Sequence, residues 1–210
     1  NAYPPKLINA VFFARLFNRQ EVLDTITPDD LNNPENLKNK LESIDPWCNE
    51  TAYPVEPVTW KGKQYSRIDA ATKLFYEIQD SLLKILESSN KSVITATNNI
   101  NKEFQMQNDF PIFMAVIDIA WFRPDIIPIE SEVPTGIGAV AYLDRLQNHL
   151  GLSSHQEVGE KMIELQNTYW PEAKRGFNPI DIENLACECR KYYIYINGTK
   201  VFEGKNKFIP

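Results

Sequence analysis

Asp181-Ile-Glu-Asn-Leu-Ala-Cys-Glu-Cys-Arg-Lys-Tyr192 is the stretch whose reading decides how this chain folds. Asp181, Asn184, Glu188 and Lys191 recur at steps of three and four residues, so a helix lines them along one face. Ile182, Leu185, Ala186 and Cys189 then point the other way. A row of carboxylate, amide, carboxylate and ammonium on such a helix is ordinarily a solvated stripe. It binds or catalyses only where it faces a cleft.

Outward from this segment the pattern stays helical. Asn178-Pro179 opens the helix, and Ser153 or Ser154 caps the one before it. A further helix spans Gly136 to Leu150 after a Pro-Thr-Gly turn. Phe110 to Phe122 reads as a helix buried on most of its surface, stopped by Arg123-Pro124. Val93 to Met106 and Ile68 to Glu87 are helical, the latter with Leu74, Ile78, Leu82 and Ile85 inward. A first helix runs from Pro5 to Leu23, and a short one from Asn33-Pro-Glu-Asn to Ile44. Pro46 to Pro57 is a loop. Two hairpins interrupt the helices. Val58-Thr-Trp60 and Gln64-Tyr-Ser66 flank Lys61-Gly62-Lys63. Near the end, Tyr192-Tyr-Ile-Tyr-Ile changes to a strand period before Asn197-Gly198, the favoured dipeptide of a two-residue turn. The fold class is mainly α with small β-hairpins, in a single domain over residues 1–210.

Hydrophobic residues make up 43% and charged residues 24% of the 210, the balance of an ordinary globular chain. No apolar run approaches the ~18 residues of a membrane span. The first residue is Asn1, and a fragment of a longer chain is one expectation. Three cysteines, two of them at Cys187 and Cys189, do not make a disulfide framework. Reduced thiols in an intracellular protein, cytoplasmic or nuclear or in a host cell, are expected. The net charge of -6 argues weakly against nucleic acid, because the field that matters is local. Basic residues do cluster, at Lys61, Lys63 and Arg67, at Lys174 and Arg175, and from Lys200 to Lys207.

Three further constellations can carry chemistry. Arg15 and Arg19, four apart with Asn18 beside them, can clamp a phosphate or pyrophosphate; pairing with Glu21 or Asp24 is the plainer alternative. Asp118 is a lone carboxylate in an apolar helix, so it is either paired to an arginine or a functional acid. Pro134-Thr-Gly-Ile-Gly-Ala139 opens a helix whose free N–H groups suit an anion, which points to DNA at Thr135, Gly136 and Gly138. No metal is expected. His149 and His155 have no ligand partner at helical spacing, and Cys187-Glu-Cys189 lacks a second pair.

Four segments resemble the alpha-glutamyl/putrescinyl thymine pyrophosphorylase family, amino acid:DNA transferases related to the helical domain of 5-hydroxymethyluracil DNA kinases. The N-terminal signature is similar at Arg15, Phe17, Asn18 and Arg19. The later one is similar at Asp181, Ile182, Glu183, Asn184, Cys187, Glu188, Lys191 and Tyr192. Asp118 stands where the family's apolar helix ends in an acid, and Gly136-Ile-Gly-Ala139 resembles its glycine turn. Ala186, Cys189 and Ile137 depart from the pattern, as in a divergent member.

The resemblance implies a helix-hairpin-helix, DNA-glycosylase-like fold and transfer of an amine, from an amino acid or polyamine, onto pyrophosphorylated 5-hydroxymethyluracil in DNA. No cofactor is implied. Asp181, Glu188 and Asp118 would be the catalytic carboxylates. Arg15, Asn18, Arg19, Glu183, Asn184, Lys191 and Tyr192 would bind substrate. A shared site would explain why the two signatures lie at opposite ends of the chain. The alternatives are a non-catalytic module that recognises a modified base, and a helical subunit that binds a partner protein.

Overall fold

The computed structural model describes residues 4–49, 57–106, 109–129 and 137–198. Helices dominate, and one two-stranded antiparallel sheet is present among the described residues. The contacts group into two compact units, 1–128 and 129–210, where the sequence reading expects one domain.

The first unit is built around α1 (Pro4–Phe17), which packs against α6 (Phe75–Glu87) and α8 (Phe110–Phe122). Ile8, Phe12, Phe13, Leu16 and Phe17 of α1 are all buried, so this helix is covered on several sides. Its partners supply rings: Phe12 stacks on Phe104 at 5.9 Å, and Phe17 meets Phe75 at 5.9 Å and Trp47 at 4.8 Å. Aromatic pairs of this kind add a preferred geometry to plain burial. Phe104 lies on α7 (Val93–Phe104), which packs against α8 and the strand Val58–Trp60. The hairpin forms with its second strand one residue earlier than read: β1 (Val58–Trp60) pairs with β2 (Lys63–Tyr65), Lys63 opposite Trp60, and the turn is Lys61 and Gly62, both at positive φ.

The smaller helices are α2 (Gln20–Leu23), α3 (Pro28–Asn32), α4 (Pro34–Glu42) and α5 (Arg67–Asp69). Between α5 and α6 the backbone winds as a π turn, Ala70–Leu74, so the expected long helix is present with one widened turn.

Two expectations are corrected. The first helix does not run to Leu23. It stops at Phe17, Asn18 adopts a left-handed φ of 36°, and α2 starts afresh at Gln20. Asn tolerates this conformation better than most residues, so the break falls where it costs least. The second correction concerns the chain after Tyr192. There is no strand at residues 192–196; α11 continues from Pro179 to Ile196. Asn197-Gly198 ends the helix, with Gly198 at φ +62° and its N–H donating to the Tyr195 carbonyl at 3.1 Å. The same dipeptide that favours a hairpin turn also suits a helix stop. Residues 199–203, the expected second strand, lie outside the described residues.

The second unit holds α9 (Ile137–Leu150), α10 (His155–Tyr169) and α11. α9 packs against both of the others. Ala139, Leu143, Val158, Ile182 and Ala186 make its small core. α9 and α11 approach closely at Gly138, where a Cβ would lie 2.6 Å from Cys187 Sγ. Arg145 of α9 sits over the Tyr193 ring at 3.8 Å, a cation–π contact that rewards a helical rather than an extended Tyr193.

Candidate functional site

Within the second unit, the connector from α10 to α11 and the first turns of α11 border an open pocket of about 390 Å3. That is the size of small-molecule sites. The polar stripe faces it. Asp181, Asn184 and Glu188 line the wall on the α11 side, and Leu185, expected to point the other way, lines it too while also packing part-buried against the core. The opposite wall comes from the connector: Trp170 and Phe177, edge to face at 5.4 Å, with Ala173, Lys174 and Arg175.

The helix start is encoded locally. The Asn178 side chain accepts from the Asp181 N–H at 3.1 Å, and Asp181 accepts from the Asn178 N–H at 2.9 Å. This reciprocal cap, with Pro179 in the first turn, fixes where α11 begins. It also fixes which residues point into the pocket.

Asp181 is heavily committed. Arg175 donates to it bidentately, Nη1 at 2.6 Å and Nη2 at 2.7 Å. Burial alone would raise its pKa, but the guanidinium and the Asn178 N–H outweigh burial and hold it below the usual carboxylate value. An ionised acid whose lone pairs serve a cap and an arginine is a poor proton acceptor. Glu188 is the freer carboxylate. Its side chain is 66% exposed, and it accepts from Lys191 Nζ at 2.5 Å, which pushes the Lys191 pKa up. Lys174 is exposed and forms no ion pair with any described residue. The pocket therefore offers an aromatic corner, an amide, one available carboxylate and one available ammonium.

The remaining expected site residues fall elsewhere. Glu183 is buried, only 3% exposed, and is not part of the pocket wall. Burial pushes its pKa up to about 7, against the pull of Lys191. Lys191 reaches the pocket only through Glu188. Tyr192 is exposed and outside the wall. In the first unit, Arg15 donates to both Asp118 oxygens, Nε to Oδ2 at 2.5 Å and Nη2 to Oδ1 at 2.8 Å. The arginine partner read as the plainer explanation for Asp118 is thus Arg15. Arg19 lies 3.6 Å from Glu21, and the break at Asn18 removes the single helical face that would have aligned the two arginines. Gly138 has a packing partner in Cys187, while Thr135 and Gly136 lie outside the described residues.

Trp170, Phe177 and the pocket-facing role of Lys174 and Arg175 are absent from the sequence reading. The one available signal is a basic pair four residues after a tryptophan, in a stretch without periodicity. Among the described residues no group of His, Cys, Asp and Glu is placed to hold a metal ion, and no helix is long and apolar enough to cross a membrane. No protein-family model, curated protein or solved structure matches the chain.

Proposed function

We propose that the second unit carries the reaction pocket of a DNA base-modifying transferase. It joins an amine, from an amino acid or polyamine, to pyrophosphorylated 5-hydroxymethyluracil and releases pyrophosphate. The observation that supports this reading most is that Asp181, Asn184 and Glu188, three residues of the family-like signature, line one pocket with an aromatic corner and two cations. In the reaction the target base leaves the helix stack. Trp170 offers a ring face to the pyrimidine, and Asn184 offers a donor and an acceptor to its edge. Glu188 takes a proton from the ammonium. The freed nitrogen forms a bond to the exocyclic methylene carbon as the bond from that carbon to the pyrophosphate oxygen breaks. Lys174 and Arg175 stabilise the negative charge that leaves. Asp181 is assigned to hold Arg175 and cap α11. A helix-hairpin-helix, glycosylase-like arrangement belongs to the same proposal.

The test is mass spectrometry of nucleosides from DNA carrying pyrophosphorylated 5-hydroxymethyluracil, incubated with the protein and a mixture of amines. A new amino-linked nucleoside is expected. Glu188→Gln should cut its rate by ~10²–10⁴, the usual cost of losing a general base. Folding should be unaffected, because an exposed pair three residues apart contributes little to stability. Full activity of Glu188→Gln rules out its role as base. A second reading, a non-catalytic module that recognises a modified base, is favoured by the ion pairs that engage both Asp181 and Glu188. In that case DNA binding persists with no product formed, and log K falls against log salt with a slope of about -2 to -4 for a few phosphate contacts.

A further inference from the structure

The pocket's aromatic and basic wall is a connector with no helix or strand of its own, running from Trp170 to Asn178. Something must hold it in one shape, and the structure shows what does. Gln166, in the last turn of α10, is only 7% exposed. Its amide is used at both ends: Nε2 donates to the Arg175 carbonyl at 2.7 Å, and Oε1 accepts from the Phe177 N–H at 2.6 Å. The main chain of Gln166 contributes as well, its carbonyl accepting from the Trp170 N–H at 2.7 Å. One residue thus touches the start and the end of the connector. From there Arg175 is aimed by Asp181, and Phe177 meets Trp170. We propose that Gln166 is the positioning residue of this pocket: a latch that sets the Trp170–Phe177 corner and the direction of Arg175 without itself lining the cavity.

A side-chain amide suits this task for a specific reason. It presents one donor and one acceptor side by side, matching a carbonyl and an N–H two residues apart. Both hydrogen bonds are part-buried, so losing them costs more than losing bonds open to water. The identity of the pocket's ligand rests on the transferase reading above; the latch does not.

Gln166→Glu gives a test that burial alone cannot imitate. Its carboxylate still accepts from Phe177 but sets a second acceptor against the Arg175 carbonyl. Once protonated, the same side chain regains the donor. At about pH 8, well above ordinary carboxyl values, the variant should exchange the Phe177 amide about ten-fold faster than wild type, the size expected for one lost hydrogen bond. The Trp170 indole resonance, assigned by its loss in W170F, should shift. At about pH 5, nearer the value expected for a buried carboxyl, both should return towards wild type measured at the same pH. That wild-type comparison also removes the effect of the other charged groups near the pocket: Lys174, Arg175, Asp181 and Glu188.

Gln166→Leu should show the loosened state at both pH values. Its failure to fold would leave the decision to the pH comparison within Gln166→Glu. A Gln166→Glu protein identical to wild type at about pH 8, or one equally loosened at both pH values, overturns the latch. Modified-nucleoside yield is measured on the same samples. If wild type makes no product, the transferase reading fails while the exchange and resonance data still judge Gln166.

Discussion

Glu183 is a carboxylate that the fold holds at a disadvantage. Its pKa rises from the ordinary 4.5 to about 7, mainly through burial. The sign of the effect on stability follows from which state keeps its proton. As pH rises past 4.5 the unfolded chain ionises first, while the folded chain still holds the proton. Stability therefore falls between pH 4.5 and about 7, and the loss is complete above that. The shift corresponds to about 3 kcal/mol. Glu183→Gln should be more stable than wild type at about pH 8 by an amount of this order and should lose the decline across that interval. Urea melts at several pH values measure both, and an unchanged pH profile would show that Glu183 is not the group responsible. The helical period sets Asn184 on the polar face and leaves Glu183 on neither face, so the burial of Glu183 is not read from the signature. Rotation about the helix is decided by what the rest of the unit covers. Asp118 was more legible, because a lone acid in an apolar helix needs a counter-charge; the guanidinium that supplies it, Arg15, sits 103 residues earlier.

At the level of elements, helix starts were legible and helix ends less so. Asn178-Pro179, Ser154 and Asn33-Pro34 each place a side-chain acceptor before a helix, and each caps as read. These signals are local, so a sequence carries them whole. Tyr192-Tyr-Ile-Tyr-Ile failed as a strand because its intrinsic preference is small beside tertiary contacts such as Arg145 over Tyr193. The pocket was half legible for the same reason: its α11 wall has helical period, and its connector has none. Asp181→Asn tests the cap and the Arg175 clamp together. The amide keeps much of the shape but loses the charge on Arg175. A cost of ~1 kcal/mol is expected for the weakened cap, which corresponds to about 2–4 °C in melting temperature for a chain of this size. Transferase activity should fall less than in Glu188→Gln. Complete loss of product with an unchanged melting temperature would instead return Asp181 to the role of base.

For the molecule as a whole, stability should be unevenly spread. The first unit buries a dense set of aromatic and branched side chains, whereas among the described residues the core cluster of the second has five buried members, two of them alanine, with the rest of its apolar side chains only part-buried against them. Small cores give small opening free energies. Native-state hydrogen exchange should accordingly show the slowest amides on α1, α7 and α8, and faster ones on α9 and α10; the reverse order would contradict this account. The helix contact at Gly138 turns that difference into chemistry. Cys187 Sγ occupies the space a side chain at position 138 would need, and burial raises its pKa. Cys187 is half-buried, so a thiol reagent reaches it slowly in the folded unit and faster when α9 and α11 part. The alkylation rate of Cys187, followed peptide by peptide, is then a clock for how often the second unit breathes, and a ligand that closes the pocket should slow it.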